Sequence, residues 1–488
     1  MEKPFRMVAP AGAFLVAFML YLLTYSRSIG WYDSAELALV AWQMGASHAP
    51  GSPAHSVIGH WATWLVSEPF VGTTLLSVFT AAATVLILGL LLVRLGVESL
   101  IAAGVSTVYA LSVQVWTNAT ITEVYSLNMA VLGLTVLFAW LWCSTFRQRY
   151  LLLMLLCYGL SLTAYFANIL LLPAFAYIVL SSSGRSRIAL GAFATCVGVA
   201  VCIAAIGNLL LAQNAAPFGE IVPDSLRNVA LYMTGAQHEP LRVRGWEFLS
   251  GRVIDHMLAF SRSIGFIAIP FGLLGIYFID RLHRAFGVFL ALIFVIYFGY
   301  YTVFGPGDYV MMVLPAYFVV AIWFAAGLQG IYVAVGRAPA MLAVKLLPLF
   351  AAIWLFSLQF EERRRLAVDA GAERFAAETF SLLPQNAVAI TGWREFTTLR
   401  YFQIVHRQRP DLKILVPANT ERHYEFGAVS DYRVYVDSVI CDTAVFTSKS
   451  TDELADHYAL AEGRVADVWA KLELAQGRAG ELCGQEAG

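Results

Sequence analysis

The 488-residue chain is 59% hydrophobic and only 13% charged, with 32 basic and 33 acidic residues and a formal charge of −1. Its mean hydropathy of +0.68 lies far above that of soluble globular proteins. These values exclude a soluble enzyme of ordinary composition, and the near-neutral balance carries no nucleic-acid footprint.

Long apolar runs recur from Val8 to about Gln359, and roughly 20 such residues cross a bilayer. Eleven spans are expected, over 8–26, 71–93, 99–116, 124–145, 150–164, 166–181, 188–212, 263–280, 285–304, 310–332 and 339–358. The run 150–181 has a polar interruption at 163–168 and reads either as two short spans or as one bent span. The first run is too long for a signal-peptide core and lacks a small-x-small cleavage site, so an uncleaved span is expected. Lys3 and Arg6 place the N-terminus inside, and alternation then puts Arg94, Arg147, Arg149, Arg185, Arg187, Arg281, Arg284, Arg337 and Lys345 on the same side. On that topology Asp33, Glu36, His48, His55, Glu123, Asn168, Glu220, His238 and Asp308 all sort to the outer face. Two long outer segments result, 27–70 and 213–262.

After Phe360 the composition turns polar, so 361–488 reads as a small soluble domain placed outside, following a membrane domain over 1–360. Segments 387–392 and 412–417 look like short strands, while 364–382, 395–408 and 451–475 show helical patterning. The expected architecture is thus a polytopic α-helical membrane protein of about eleven spans with a C-terminal extracytoplasmic α/β domain. Cys441 and Cys483 lie in that domain and are read either as a disulfide or as two free thiols. Cys143, Cys157, Cys196 and Cys202 sit in or beside spans, where they act as small apolar packers.

The stretch Trp31–His55 carries the densest chemistry. Asp33 and Glu36 are three residues apart and share a helix face if 31–45 is helical. Two carboxylates in a partly dry pocket push their proton affinities apart, leaving one as a base and the other to bind hydroxyls or a metal. The following His-Ala-Pro-Gly-Ser-Pro cannot extend a helix, so it reverses the chain and presents His48 and His55 near the acids. The plainer alternative is an amphipathic surface helix with solvated acids. Glu123, in Thr-Ile-Thr-Glu-Val-Tyr-Ser-Leu-Asn, reads either as a second acid brought to this loop or as compensation of a helix dipole. Tyr165, Phe166 and Asn168 interrupt an apolar run and read as a helix bend. Asp308, behind Gly305-Pro306-Gly307, reads equally as a substrate contact or a turn residue.

The pattern Asp33-Ser34-x-Glu36-Leu37 followed by Gly45-x-x-His48-x-Pro50-Gly51-x-Pro53 resembles the signature of the GT-C-type transmembrane O-mannosyltransferase family. Glu123–Asn128, Gly159–Thr163, Asp308-Tyr309 with Leu314–Tyr317, Leu383–Ala387 and Arg409–Asp411 extend the resemblance along almost the whole chain. There are departures. The family's His-Pro-Pro-Gly is His48-Ala49-Pro50-Gly51 here, its Asn-Pro-x-x-Asn-Trp-Gly is Asn214–Gly219 without a Trp, and its Gly-Asp after the first soluble strand is Gly392-Trp393.

The resemblance implies a glycosyltransferase moving a sugar, mannose by family, from a polyprenyl-phosphate donor to a hydroxyl of a protein or glycan acceptor. It implies Asp33 as general base, with Glu36 and Glu123 orienting acceptor or sugar hydroxyls. Substrate binding falls to His48 and His55 for phosphate, aided by Arg242 or Arg244, and to Tyr125, Asn128 and Asp308. No cofactor is implied beyond the lipid-linked donor, and a divalent metal stays open. The implied setting is the inner membrane of a bacterium, with the active site and C-terminal domain periplasmic and membrane lipid as a partner. The rival class is a transporter or flippase of lipid-linked substrate, which would place ionisable residues near the bilayer midplane and show inverted repeats.

Overall fold

The computed structural model describes residues 5–181, 186–215, 221–236, 245–264, 268–304, 309–336, 338–416, 432–448, 458–465 and 469–474. The chain starts with α1 (Phe5–Thr24), two short helices α2 (Asp33–Gln43) and α3 (Pro53–Thr63), and the long α4 (Pro69–Arg94). Next come α5 (Ser99–Ala110) and α6 (Val113–Thr120), which meet at a 65° bend. Then follow α7 (Val124–Thr145), α8 (Gln148–Ala164), a 3-10 stretch Phe166–Leu171, α9 (Leu172–Ser181) and α10 (Ser186–Asn214). After α11 (Leu226–Met233) and α12 (Trp246–Ile264) the bundle closes with α13 (Ala268–Leu282), α14 (Arg284–Val303), the one-turn α15 (Tyr309–Met312), α16 (Leu314–Val335) and α17 (Ala338–Ala367).

The eleven expected segments are largely helical among the described residues. Among the described residues, six helical stretches are long and apolar enough to cross a membrane, or seven if the bent α5–α6 pair is one span. Val8–Thr24 and Phe166–Ser181 are shorter apolar helices. The 150–181 run is divided. Tyr165 takes an extended conformation (φ −154°, ψ 102°) between α8 and the 3-10 stretch, so one continuous helix is ruled out there. The bundle core joins α1, α4, α5, α7, α8, α9, α14 and α16 around residues such as Tyr21, Leu88, Trp116, Tyr158, Phe175 and Phe286. Two of its helices pass close enough that a Cβ at Gly275 would collide with the Trp323 carbonyl, the small-residue contact that membrane helices use to approach.

The C-terminal region comprises α18 (Gly371–Leu382), β1 (Val388–Ile390), α19 (Trp393–Val405), β2 (Lys413–Leu415), α20 (Tyr432–Val439), β3 (Val445–Thr447), β4 (Tyr458–Val465) and β5 (Trp469–Leu474). The sheet order is β2-β1-β3-β5-β4. β1 pairs in parallel with β2 (Val388 with Lys413) and with β3, while β5 runs antiparallel to both β3 and β4. The helix expected within 451–475 is corrected here, because its described part forms the β4–β5 hairpin. Its Ala, Glu and Leu content favours helix, but Ala470 and Leu472 face inward while Lys471 and Glu473 face out. Sheet pairing outweighs intrinsic preference at such a site. Cys441 is disulfide-bonded. Cys483, its expected partner, lies outside the described residues.

The α/β region is seated on the bundle rather than tethered to it. Ile29, Ala35, Ala38 and Leu39 share one apolar cluster with Phe380, Ala389, Leu399, Tyr401 and Trp469. Polar ties ring that contact: Ser28 Oγ donates to Glu373 Oε2 at 2.9 Å, and the Arg394 guanidinium lies 4.1 Å from the Trp31 ring. α2 is therefore covered by α19, and this positions its first turn.

Candidate active site

α2 begins at Asp33 and carries both acids, Asp33 and Glu36, in its first turn, where the helix dipole favours negative charge. It ends at Met44, whose left-handed conformation (φ 52°) lets the Met44 and Gly45 N–H groups cap Ala41 and Val40 carbonyls. The chain then turns back through His48–Ser52, and Pro53 starts α3 as a first-turn proline. Gly51 has φ +79°, and a Cβ there would collide with Asn208 and lie 2.6 Å from Tyr232 Cε1. The loop is thus fixed against α10 and α11, and the Tyr232 hydroxyl donates to the Ser47 carbonyl.

This reversal lays His48 on α2. The His48 N–H donates to Glu36 Oε1 at 2.5 Å, and His48 Nδ1 lies 2.5 Å from Glu36 Oε2. His48 Nε2 lies 3.7 Å from Asp33 Oδ2. The Asp33 Oδ1 atom accepts from the Trp393 indole N–H at 2.7 Å, and the Trp393 ring meets the His48 ring edge-on at 6.1 Å between centroids. Glu36 is fully buried at 0% exposure, whereas the side chains of His48 and Asp33 are 29% and 28% exposed. Glu36 is therefore spent on His48, and Asp33 and His48 are the part-exposed members of the cluster.

Electrostatics sharpen this division. Burial alone would strip the proton from His48, but the Glu36 and Asp33 carboxylates and, further off, Glu123 outweigh it and push the imidazole up to about 10. Burial raises the Glu36 carboxyl, and its contacts with His48 offset part of that rise. The two acids thus favour a proton on His48, while burial and the imidazole pull the Glu36 carboxyl in opposite directions. Glu123 opens α7, with its backbone N–H and C=O both 3.3 Å from Ser77 Oγ. Thr122 before it is tied to Thr73 and Thr74 of α4 at 2.8 and 2.9 Å.

The ligand atoms of Asp33, Glu36 and His48 lie within 4.8 Å of one another, a spacing one cation could bridge. The donor chemistry fits poorly. His48 Nδ1 is committed to Glu36 Oε2 and Glu36 Oε1 to the His48 backbone N–H, and an imidazolium has no lone pair for a metal until its proton leaves.

The remaining expected residues fall elsewhere. His55, on α3, is 1% exposed with neither ring nitrogen bonded among the described residues, and burial lowers it to about 4, so it is neutral. Tyr125 and Asn128, on α7, face the bundle interior, with Tyr125 packing edge-on against Tyr165 and Asn128 Oδ1 accepting from Asn168 Nδ2 at 2.6 Å. Arg242, Arg244 and Asp308 lie outside the described residues. Trp393 was not anticipated from sequence. Its one signal is position, at the first turn of the helix after β1, where the family pattern carries an acid.

Fold and composition together define a polytopic helical membrane protein with a small C-terminal α/β region, a fold it shares with solved membrane proteins. The chain superposes on ArnT from Cupriavidus metallidurans in the apo state with a TM-score of 0.57 and 11% identity, over 97% of this chain and 98% of that one. The ArnT structure bound to undecaprenyl phosphate gives 0.56 and 12%, over 98% and 99%. The Pmt1–Pmt2 O-mannosyltransferase complex of S. cerevisiae bound to the sugar donor aligns over 45% of this chain and 35% of that one, at 0.38 and 14% identity. Residues 33–188 match the family described as the Protein O-mannosyl-transferase TMEM260 N-terminal domain. The resemblance read from the Asp33–Pro53 signature is thus met by a family match that begins at Asp33. No curated protein matches the chain.

Proposed function

We propose that this protein is a membrane glycosyltransferase that moves a sugar, mannose by family resemblance, from a polyprenyl-phosphate donor to an acceptor hydroxyl. We assign the general base to Asp33 and place the reaction at the extracytoplasmic face. The observation that carries the reading is the pairing of two part-exposed groups, the Asp33 Oδ2 base and the His48 Nε2 donor, 3.7 Å apart.

In this reaction the acceptor oxygen forms a bond to the sugar C1 as the bond from C1 to the phosphate oxygen breaks. The hydroxyl proton passes to Asp33 Oδ2, and polyprenyl phosphate leaves with the bonding pair. A base earns its place when positioned at the proton it takes, with rate effects of about 10²–10⁴-fold. The leaving phosphate gains negative charge, which a fixed imidazolium N–H stabilises. Glu36 then serves as the orienting partner of His48, and Glu123 adds to the negative field that keeps His48 protonated. The family match and the fold shared with ArnT, whose structure holds undecaprenyl phosphate, support the lipid-linked donor. The C-terminal region seated beside the same acids supports a reaction on the face it covers.

The test supplies polyprenyl-phosphate mannose to the purified protein in nanodiscs, with a membrane extract as acceptor source, and measures released polyprenyl phosphate. Turnover in the wild type that is lost in Asp33→Asn, with unchanged Tm, is the expected result. Equal turnover in both removes Asp33 from the base role. Absence of turnover with any lipid-linked sugar, together with lipid translocation in vesicles, would favour the transporter.

A further inference from the structure

We infer that Trp393, from the C-terminal region, is a positioning residue for the transfer reaction: its indole N–H fixes the Asp33 carboxylate so that Oδ2 alone faces substrate. The inference rests on the proposed role of Asp33 as base.

Three observations support it. The first is geometry. The indole N–H reaches Asp33 Oδ1 at 2.7 Å, while Oδ2 lies on the His48 side at 3.7 Å from Nε2. A carboxylate has two equivalent oxygens, and a hydrogen bond on one locks the side-chain torsion and points the other. Indole is a donor only, so it cannot take the proton that the base must accept.

The second is the rigidity of the donor. Trp393 is the first residue of α19, preceded by Gly392 and packed against Phe396 at 6.1 Å between nearly parallel rings. Its neighbour Arg394 lies over Trp31, two residues before Asp33. The Tyr401 hydroxyl, two turns on, accepts from the Phe70 N–H at 3.3 Å, so α19 is tied to the bundle at both ends. A positioning contact of this kind needs support from its own surroundings, and here the shared apolar cluster of α2 and α19 supplies it.

The third is charge. The indole is a neutral donor at Asp33 Oδ1, so it orients the carboxylate without bringing a second acid to it, and the base stays free to accept a proton. The C-terminal region thereby completes the site, and its seating on α2 sets the aim of the base.

The experiment uses the full chain in nanodiscs with polyprenyl-phosphate mannose, and compares Trp393→Phe, which keeps a ring but no N–H, with Trp393→His, which restores a ring N–H. The expected result for Trp393→Phe is a fall in kcat of about 10-fold or more, with the donor KM and Tm unchanged. Trp393→His should recover part of the loss. Wild-type kcat in Trp393→Phe overturns the inference, as does an equal fall in both variants accompanied by a lower Tm, which would mean packing. Asp33→Asn in the same assay separates the two ideas: a dead Asp33→Asn beside a fully active Trp393→Phe sinks only the positioning role, whereas a fully active Asp33→Asn sinks the base. A readout independent of turnover is the indole N–H resonance of Trp393 in protein labelled at tryptophan nitrogen. It should shift in Asp33→Asn, and its constancy would overturn the contact itself.

Discussion

Two polar clusters sit in this otherwise apolar chain, and they differ in what they leave unsatisfied. At the end of the bundle, Asp33, Glu36 and His48 are ionisable groups joined by the neutral Trp393 indole, and Asp33 and His48 are part-exposed. Inside the bundle, Asn168 is the hub of a neutral network: its Nδ2 donates to Asn128 Oδ1 and the Ser161 carbonyl, its Oδ1 accepts from Tyr297, and its carbonyl accepts from Tyr158 at 2.9 Å. The Tyr165 and Tyr301 hydroxyls close it at 2.6 Å. Such a network compensates the helix break at Tyr165, because a broken helix in an apolar setting must satisfy its polar groups internally. A saturated cluster holds architecture, and a cluster with spare valence can act on a substrate. A transporter would invert this pattern, with its charges inside the bundle.

The comparison breaks first at Asp33. Asp33→Asn keeps the shape and the Trp393 contact but removes the base, so donor turnover should fall by about 10²–10⁴-fold with the fold intact. A loss below threefold would place the chemistry elsewhere.

Glu36→Gln sharpens the comparison next. It is nearly isosteric but can accept only one of the two His48 N–H groups, and it removes the largest of the carboxylate influences that hold the imidazole up to about 10. A raised imidazole stays protonated below its folded value and loses its proton as pH rises through it. The wild type should therefore keep its His48-dependent activity to about pH 10, and the variant should lose activity at a distinctly lower pH. The alkaline limb of the kcat profile reads this directly, and an unmoved limb would remove His48 from the reaction.

Asn168→Ala addresses the other cluster. It strands the Tyr297 hydroxyl and the Asn128 side chain, and each buried group left unpaired costs about 1–3 kcal/mol, less in a membrane where the unfolded reference finds partners. Thermal stability should drop markedly, while turnover per folded molecule stays within about threefold of wild type. A specific loss of kcat with stability retained would give the network a part in the chemistry.

How far these clusters were legible in sequence follows the same division. The Asp33–His48 spacing, a helix then a Pro-Gly reversal, announced the contact because local geometry builds it. The break at Tyr165 was visible as polar residues in an apolar run, yet Asn168 as a hub was not, since its partners come from α7, α8 and α14. Tyr125 and Asn128 were expected to bind substrate through their place in a motif, and on α7 they meet Tyr165 and Asn168. Trp393 is 360 residues from Asp33. No local signal spans that distance, and the β4–β5 hairpin was missed for a similar reason, as its pairing is with β3.

The smallest effect is expected at His55, and it tests whether this residue belongs to either cluster. Burial lowers its imidazole to about 4, against an ordinary value of 6.5. The unfolded chain therefore takes up a proton at pH values where the folded chain does not, so stability is full above about 6.5 and is lost as pH falls towards about 4. The depression caps that loss at about 3 kcal/mol. His55→Leu removes the titrating group without adding bulk, so the difference in Tm between pH 7 and pH 5 should be smaller in the variant than in the wild type. The same variant separates the two uses of a histidine here. If the donor KM is unchanged, His55 is a packed, neutral side chain. If the KM rises at pH 7 with the Tm unaltered, His55 contributes to donor binding and joins His48 in the site.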